Sequence, residues 1–200
     1  MRRSLKGRRL DQIAFVPPRQ DGAAAAADAA DVGALIARAK AGDRLAFGTL
    51  IEEHYDLIFR AAYKWSGTRS DAEDTAQEVC VKLATALKGF DGRSTFSTWL
   101  YRITLNAVRD LQRTQGRRGR QVGALQTVSP SEQPADQEEA TTIAQLWRAV
   151  RALPEKQRDA VLLVYAEDLN HAAAAEIMGC KEATVSWHIF EAKRTLRGLL

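Results

Sequence analysis

Residues 94–110 read STFSTWLYRITLNAVRD and run on into LQRTQGRRGR. Phe96, Trp99, Leu100, Ile103, Ala107 and Leu111 recur at spacings of three and four, which predicts a helix with one apolar face turned to a core. Arg102, Asn106, Arg109 and Arg113 recur at the same spacings about a quarter to a third of a turn away, and Tyr101 falls on the other flank. One helix is therefore expected to anchor a domain through one face and to offer cationic and amide groups on another.

The same periodicity extends to either side. Upstream, LIARAKAGDRLAFGTLIEEHYDLIFRAAYKW carries apolar residues at Leu35, Ile36, Ala39, Phe47, Leu50, Ile51, Tyr55, Ile58 and Phe59, with Gly42 and Asp43 as punctuation, and predicts two helices. A third is expected from Asp71, read as its N-terminal cap, through DAEDTAQEVCVKLATALKGF to Gly89. It should bury Ala76, Val79, Cys80, Leu83 and Leu87. Downstream, QVGALQTVSPSEQPADQEE lacks periodicity and holds Pro130 and Pro134, as a flexible linker would. Helices then resume with the stripe Ile143, Leu146, Trp147 and Val150. Pro154 is placed to open the next helix, since its missing amide hydrogen is not needed there. HAAAAEIMG and KEATVSWHIFEAKRTLRGLL, parted by a tight Gly179-Cys180 turn, have the spacing of a helix-turn-helix.

No strand pattern of any length occurs, so the expected fold is all-α. The 200 residues fit two small domains. Residues 1–30 combine basic residues, Pro17-Pro18 and DGAAAAADAAD, and are expected to be a disordered basic and Ala-rich extension. The chain start lacks a signal-peptide pattern and no apolar run reaches the length of a membrane span, so a cytoplasmic location is expected. No GxGxxG, P-loop, HExxH or nucleophile elbow occurs, and Ser, His and Asp form no suggestive cluster; no catalytic residue and no cofactor is expected. Cys80 and Cys180 have no neighbour at ligand spacing, so no metal site is expected and both read as reduced thiols.

Charge is distributed unevenly. The net charge is +4, yet Arg93 to Arg120 holds seven arginines and the single acid Asp110, while Gln121 to Trp147 holds Glu132, Asp136, Glu138 and Glu139 and no base. Such segregation points to a nucleic-acid surface followed by an acidic tether.

The order of elements, DAEDTAQEV on a helix, then FDGRSTFSTWLYRITLN, a linker, LPEKQRDAVLLVYAEDL and a terminal helix-turn-helix, resembles a bacterial sigma factor of the sigma-70 class. It resembles in particular the compact extracytoplasmic-function (ECF) group, which keeps only sigma domains 2 and 4. The resemblance covers about Val32 to Leu196. It implies a domain 2 helical bundle over 31–118, a flexible linker over 119–141 and a domain 4 with the helix-turn-helix over 142–200.

By that resemblance Asp74, Gln77, Glu78 and Lys82, which share a helix face, bind the clamp helices of core RNA polymerase, and domain 4 meets the polymerase flap. Phe90, Gly92, Arg93, Ser94 and Thr95 correspond to the loop that captures an unpaired base of the promoter minus-ten element. Tyr101, Arg102 and Asn106 face the same element, and Arg109 and Arg113 hold phosphates. Lys181, Thr184, Ser186, Trp187, His188 and Arg194 are the candidates for the minus-thirty-five duplex. Here the chain departs from the family pattern, which has basic residues where Ser186, His188 and Glu191 stand and Ile in place of Ala174. Fewer cations imply a weaker salt-dependent grip.

The resulting expectation is a non-enzymatic promoter-specificity subunit with core polymerase, promoter DNA and an anti-sigma factor as partners, and with no small-molecule substrate. Two alternatives stay open. One is a helix-turn-helix regulator acting on duplex DNA without polymerase. The other is a protein-sequestering or enzyme-associated helical bundle with no DNA role.

Overall fold

The computed structural model describes residues 22–122 and 138–199, with side chains described over 31–117 and 145–198. Among them the fold is all-α. Helices α1 (Gly22–Lys40), α2 (Arg44–Ser66), α3 (Arg69–Ala86) and α4 (Phe96–Val122) form the first domain, with a 3₁₀ turn at Leu87–Gly89. Helices α5 (Glu138–Ala152), α6 (Glu155–Val161), α7 (His171–Met178) and α8 (Glu182–Leu199) form the second. Most of the linker and residues 1–21 of the extension lie outside the described residues.

The boundaries depart from expectation in ways that local chemistry explains. Helix α1 starts at Gly22, inside the segment expected to lack structure, because alanine has the highest intrinsic helix propensity and DGAAAAADAAD is mostly alanine. Helix α4 continues to Val122, past the expected start of the linker, and α5 begins at Glu138, before its expected end. Helix α3 is capped by Thr68, whose Oγ1 accepts from the Asp71 amide at 3.2 Å; Asp71 sits in the first turn. Asp43 caps α2, accepting from the amides of Leu45 and Ala46, and those amides together with Arg38 hold its carboxyl below the usual carboxylate range, the Ala46 amide most of all.

Two apolar clusters organise the molecule. The first lies inside the first domain and joins Leu35, Leu50, Ile58, Val79, Leu83, Phe90, Phe96, Trp99 and Leu100. The second crosses between domains, since Ala61, Trp65, Leu105 and Val108 of the first pack with Ala160, Leu163, Ala174, Val185 and Ile189 of the second. At the same seam Gly67 ends α2 in a left-handed conformation with φ 83°, and a Cβ there would lie 2.9 Å from Cδ of Arg151 on α5. The backbone angle calls for glycine at this position, whereas the Arg151 side chain is long and can swing aside.

One local irregularity has positional consequences. After α6 the chain makes a single π-helical turn, Leu162–Ala166, and Asp168 then takes a positive φ of 52°. The wider turn redirects the Ala166 carbonyl and the Glu167 carboxylate toward α2 and α4, where Lys64 donates to Ala166 O at 2.7 Å.

Candidate nucleic-acid and polymerase interfaces

Helix α3 sorts its residues by face. Val79 and Leu83 are buried, whereas Asp74, Gln77 and Glu78 are exposed and Lys82 is half-buried. Lys82 pairs with Glu78 at 2.6 Å, one turn away, and lies 3.9 Å from Asp110 of α4. Val81 stands among these polar groups and is 73% exposed. Its spacing of four from Gln77 and three from Glu78 places it in the middle of the face. Sequence reading passed over it, although an apolar residue off the buried stripe is a legible signal.

The loop before α4 divides between core and surface. Phe90 was expected among the base-capturing residues, but its ring is only 8% exposed and packs at 5.5 Å from Phe96 and 5.2 Å from Trp99. Burying an aromatic ring removes so much apolar area from water that the core outcompetes the loop surface. The Phe90 carbonyl accepts from Lys40. Gly92 has φ 75° and open space around it, so its backbone angle alone calls for glycine and the loop face stays uncovered. Arg93 is exposed and pairs with Asp91 at 3.1 Å, while Ser94 is half-buried. Thr95 caps α4, its Oγ1 accepting from the Thr98 amide at 3.1 Å.

Along α4 the expected DNA-facing residues separate into two groups. Arg102, Asn106 and Arg113 are exposed, and Asn106 accepts from Arg109 at 3.4 Å. Tyr101 and Arg109 instead meet the second domain. The Tyr101 hydroxyl donates to Glu167 at 2.7 Å; burial first, then the carboxylate beside it, push the phenol well above its ordinary range. Arg109 pairs with Glu155 at 3.0 Å and with Asp159, a carboxylate of zero exposure that also accepts from Trp65 Nε1 at 2.9 Å. Arg109, Gln112, Arg113, Arg117 and Glu155 line a cleft of about 470 Å³ at this junction. Sequence reading missed Trp65, Glu155, Asp159 and Glu167, because a core-facing indole reads as packing alone and an acid reads as solvated until its partner is seen.

In the second domain Asn170 caps α7, accepting from the Ala173 amide at 2.8 Å, and the left-handed Gly179 turns the chain into α8. Val185, Ile189, Ala192 and Leu196 are buried as the periodicity requires. Lys181, Ser186, Trp187 and Arg194 are exposed, and Thr184 and His188 are half-buried. Ser186 pairs with His171 at 3.0 Å, and Arg194 donates to Glu191 at 2.5 Å. Burial, and next the charge of Lys156, lower the His188 pKa, which favours the neutral ring. Phe190 is 64% exposed beside Trp187 at 56%; it was not singled out from the sequence, although it too lies off the buried stripe. Behind α8, an apolar groove of about 230 Å³ is lined by Leu146, Trp147, Val150, Tyr165 and Lys193 among others.

Cys80 and Cys180 are free and half-buried, and burial pushes the Cys80 thiol up. Among the described residues no cluster of His, Cys, Asp or Glu could hold a metal ion, and no helix is long and apolar enough to cross a membrane.

A four-helix domain with a polar outer face on α3 and a cationic helix α4, followed by a helix-turn-helix domain, defines a two-domain helical sigma-70 architecture. The family models for sigma-70 region 2 and sigma-70 region 4 match residues 50–118 and 143–196. The chain is 31% identical over 175 residues to the ECF RNA polymerase sigma-E factor of Escherichia coli strain K12, covering 81% of this chain and 90% of that one. Among solved structures it is similar to the sigma factor RpoE of Bartonella quintana, in complex with the anti-sigma factor NepR, with a TM-score of 0.63, 24% identity and coverage of 76% and 95%. It is also similar to CnrH, in complex with the cytosolic domain of CnrY, with a TM-score of 0.61, 25% identity and coverage of 82% and 94%. The chain belongs to the ECF sigma factors of the sigma-70 family, which are transcription initiation factors and not enzymes.

Proposed function

We propose that this sigma factor binds core RNA polymerase through the outer face of α3, opens the minus-ten element with the Asp91–Thr95 loop and the exposed side of α4, and reads the minus-thirty-five duplex with α8. Polymerase supplies the chemistry. The observation that carries the reading is the division of α4: Phe96 and Trp99 are locked in the core while Arg102 and Asn106 stand exposed on the helix that the uncovered Gly92 loop leads into. Rigid anchorage fixes where the exposed groups meet an unpaired strand, which suits base capture and phosphate contact.

The docking face follows the chemistry of protein interfaces, an exposed apolar residue ringed by polar groups. Val81 is its apolar centre; Asp74, Gln77, Glu78 and Lys82 surround it. The groove behind α8 takes an apolar element of the polymerase flap. An anti-sigma factor is the third partner, supported by the family resemblance and by the presence of a bound second chain in the CnrH structure. A regulator acting on duplex DNA alone would need neither the α3 face nor the loop.

Titration of core polymerase with the labelled chain tests the assignment. Wild type is expected to form a holoenzyme. Glu78→Lys should weaken it at least tenfold while the thermal melt stays unchanged, and an unchanged affinity would remove α3 from the docking surface.

A further inference from the structure

Resting on the reading of Asp91–Thr95 as the loop that captures an unpaired base, a residue of α1 bears on how that loop is held. Lys40 stands in the last turn of α1, where the helix dipole favours a cation. Its ammonium reaches across the domain instead of pointing into solvent. It donates to the carbonyl of Phe90, 50 residues further along the chain, and lies 5.7 Å from the centroid of the Phe90 ring. The same ring packs against Phe96 and Trp99 of α4. Lys40 thus ties α1 to the residue from which the loop departs.

The position of Lys40 is itself fixed. Across the α1–α2 corner Arg38 donates to Asp43 at 2.7 and 3.0 Å, and Asp43 also caps α2. At the far end of the loop, Thr95 Oγ1 accepts from the Thr98 amide at 3.1 Å and lies 2.8 Å from the Thr98 hydroxyl. Between these two anchors the exposed Asp91 accepts from the Arg93 amide at 3.2 Å, and Gly92 takes its φ of 75°.

We propose that Lys40 is a positioning residue for base capture: by latching the Phe90 carbonyl and ring it fixes the Asp91–Thr95 loop, and so sets how selectively the minus-ten element is read. Phe90 is buried, so its carbonyl needs a partner, and a hydrogen bond from an ammonium is among the stronger ones available. A glycine-bearing loop held at one end only would sample many conformations, and ordering it around a splayed base would subtract from binding. Held at both ends, the loop meets the base already ordered. A base of the wrong shape then loses contacts that a loose loop could have remade.

The test uses the full chain with core polymerase and run-off transcription on a promoter library, with the transcribed promoters sequenced. Lys40→Met keeps a side chain of similar length without donor or charge. It should lower the yield about tenfold, the scale of one hydrogen bond to a charged group, and flatten the base preference within the minus-ten element. Polymerase affinity and the minus-thirty-five preference should stay as in wild type. Lys40→Arg keeps a cation and a donor and should restore both yield and preference. A residue that only braced α1 would lower the thermal melt and reduce transcripts evenly across the library; that evenness, or an unchanged minus-ten preference in Lys40→Met, would overturn the proposal. Should Lys40→Met melt without cooperativity, Lys40→Gln keeps a neutral donor and should show a smaller flattening, with an unchanged preference again overturning the latch. Gly92→Ala, strained within the loop itself, separates two kinds of failure. If it too leaves the minus-ten preference intact, the base-capture reading fails and the latch with it; if it flattens the preference while Lys40→Met does not, the latch alone fails.

Discussion

Trp99 and Asn106 lie seven positions apart on α4 and carry different parts of the work. The Trp99 indole packs against both Phe90 and Phe96, so Trp99→Ala should cost about 3–5 kcal/mol of unfolding free energy in a urea titration. Asn106 is exposed, so Asn106→Ala should change stability by less than about 0.5 kcal/mol. That variant should instead reduce permanganate reactivity of promoter thymines in the polymerase complex. Phe90 belongs with Trp99: Phe90→Ala should lower stability first. Tyr101 supplies a pH dependence. Its phenol is held above the ordinary value of 10.0, so its contribution is complete below that value and is lost as pH rises further, where the unfolded chain ionises and the folded one keeps its proton. The urea midpoint of wild type should therefore fall above pH 10 more steeply than that of Tyr101→Phe. These residue roles were partly legible. Helical spacing separated Trp99 from Asn106, but Phe90 sits in a loop, where no period assigns a face.

Among the elements, α8 makes the most quantitative case. Lys181 and Arg194 are the cations among its assigned contact residues, and Arg194 is already paired with Glu191. Neutral His188 adds no charge at neutral pH. Each phosphate neutralised contributes about −0.9 to the slope of log affinity against log salt, so isolated duplex binding should show a shallow slope, about −2. A slope of about −5 or steeper would mean that cations outside α8 carry the grip. Trp187 and Phe190 are exposed apolar groups; if they meet thymine methyl groups, Phe190→Ala should weaken duplex binding about tenfold without altering the salt slope. The helices themselves were readable because each buries one stripe, and Asn170 and the Gly179 turn fell where capping chemistry places them. The π turn at Leu162–Ala166 was not, since its residues keep the apolar character of an ordinary helix and only the backbone bonds differ. The start of α1 escaped because low-complexity alanine reads as disorder by composition and as helix by propensity.

At the scale of the whole molecule, the two-domain division and the order of elements were visible in the sequence, and the family models fall on the same two regions. The junction between them was not visible. Asp159 follows Arg158 on an amphipathic helix, and local pattern gives such an acid a solvent-facing role; its burial depends on Trp65 and Arg109, 94 and 50 residues away in the chain. Long-range pairing of this kind leaves no period to read. The consequence is that α4 leaves Arg102 and Asn106 exposed while Tyr101 and Arg109 are covered by the second domain. Run-off transcription with core polymerase, the chain and a promoter library tests the central claim most directly. Discrete start sites that depend on the chain and weaken with Asn106→Ala and with Glu78→Lys are expected; no initiation above core polymerase alone would remove the sigma-factor role.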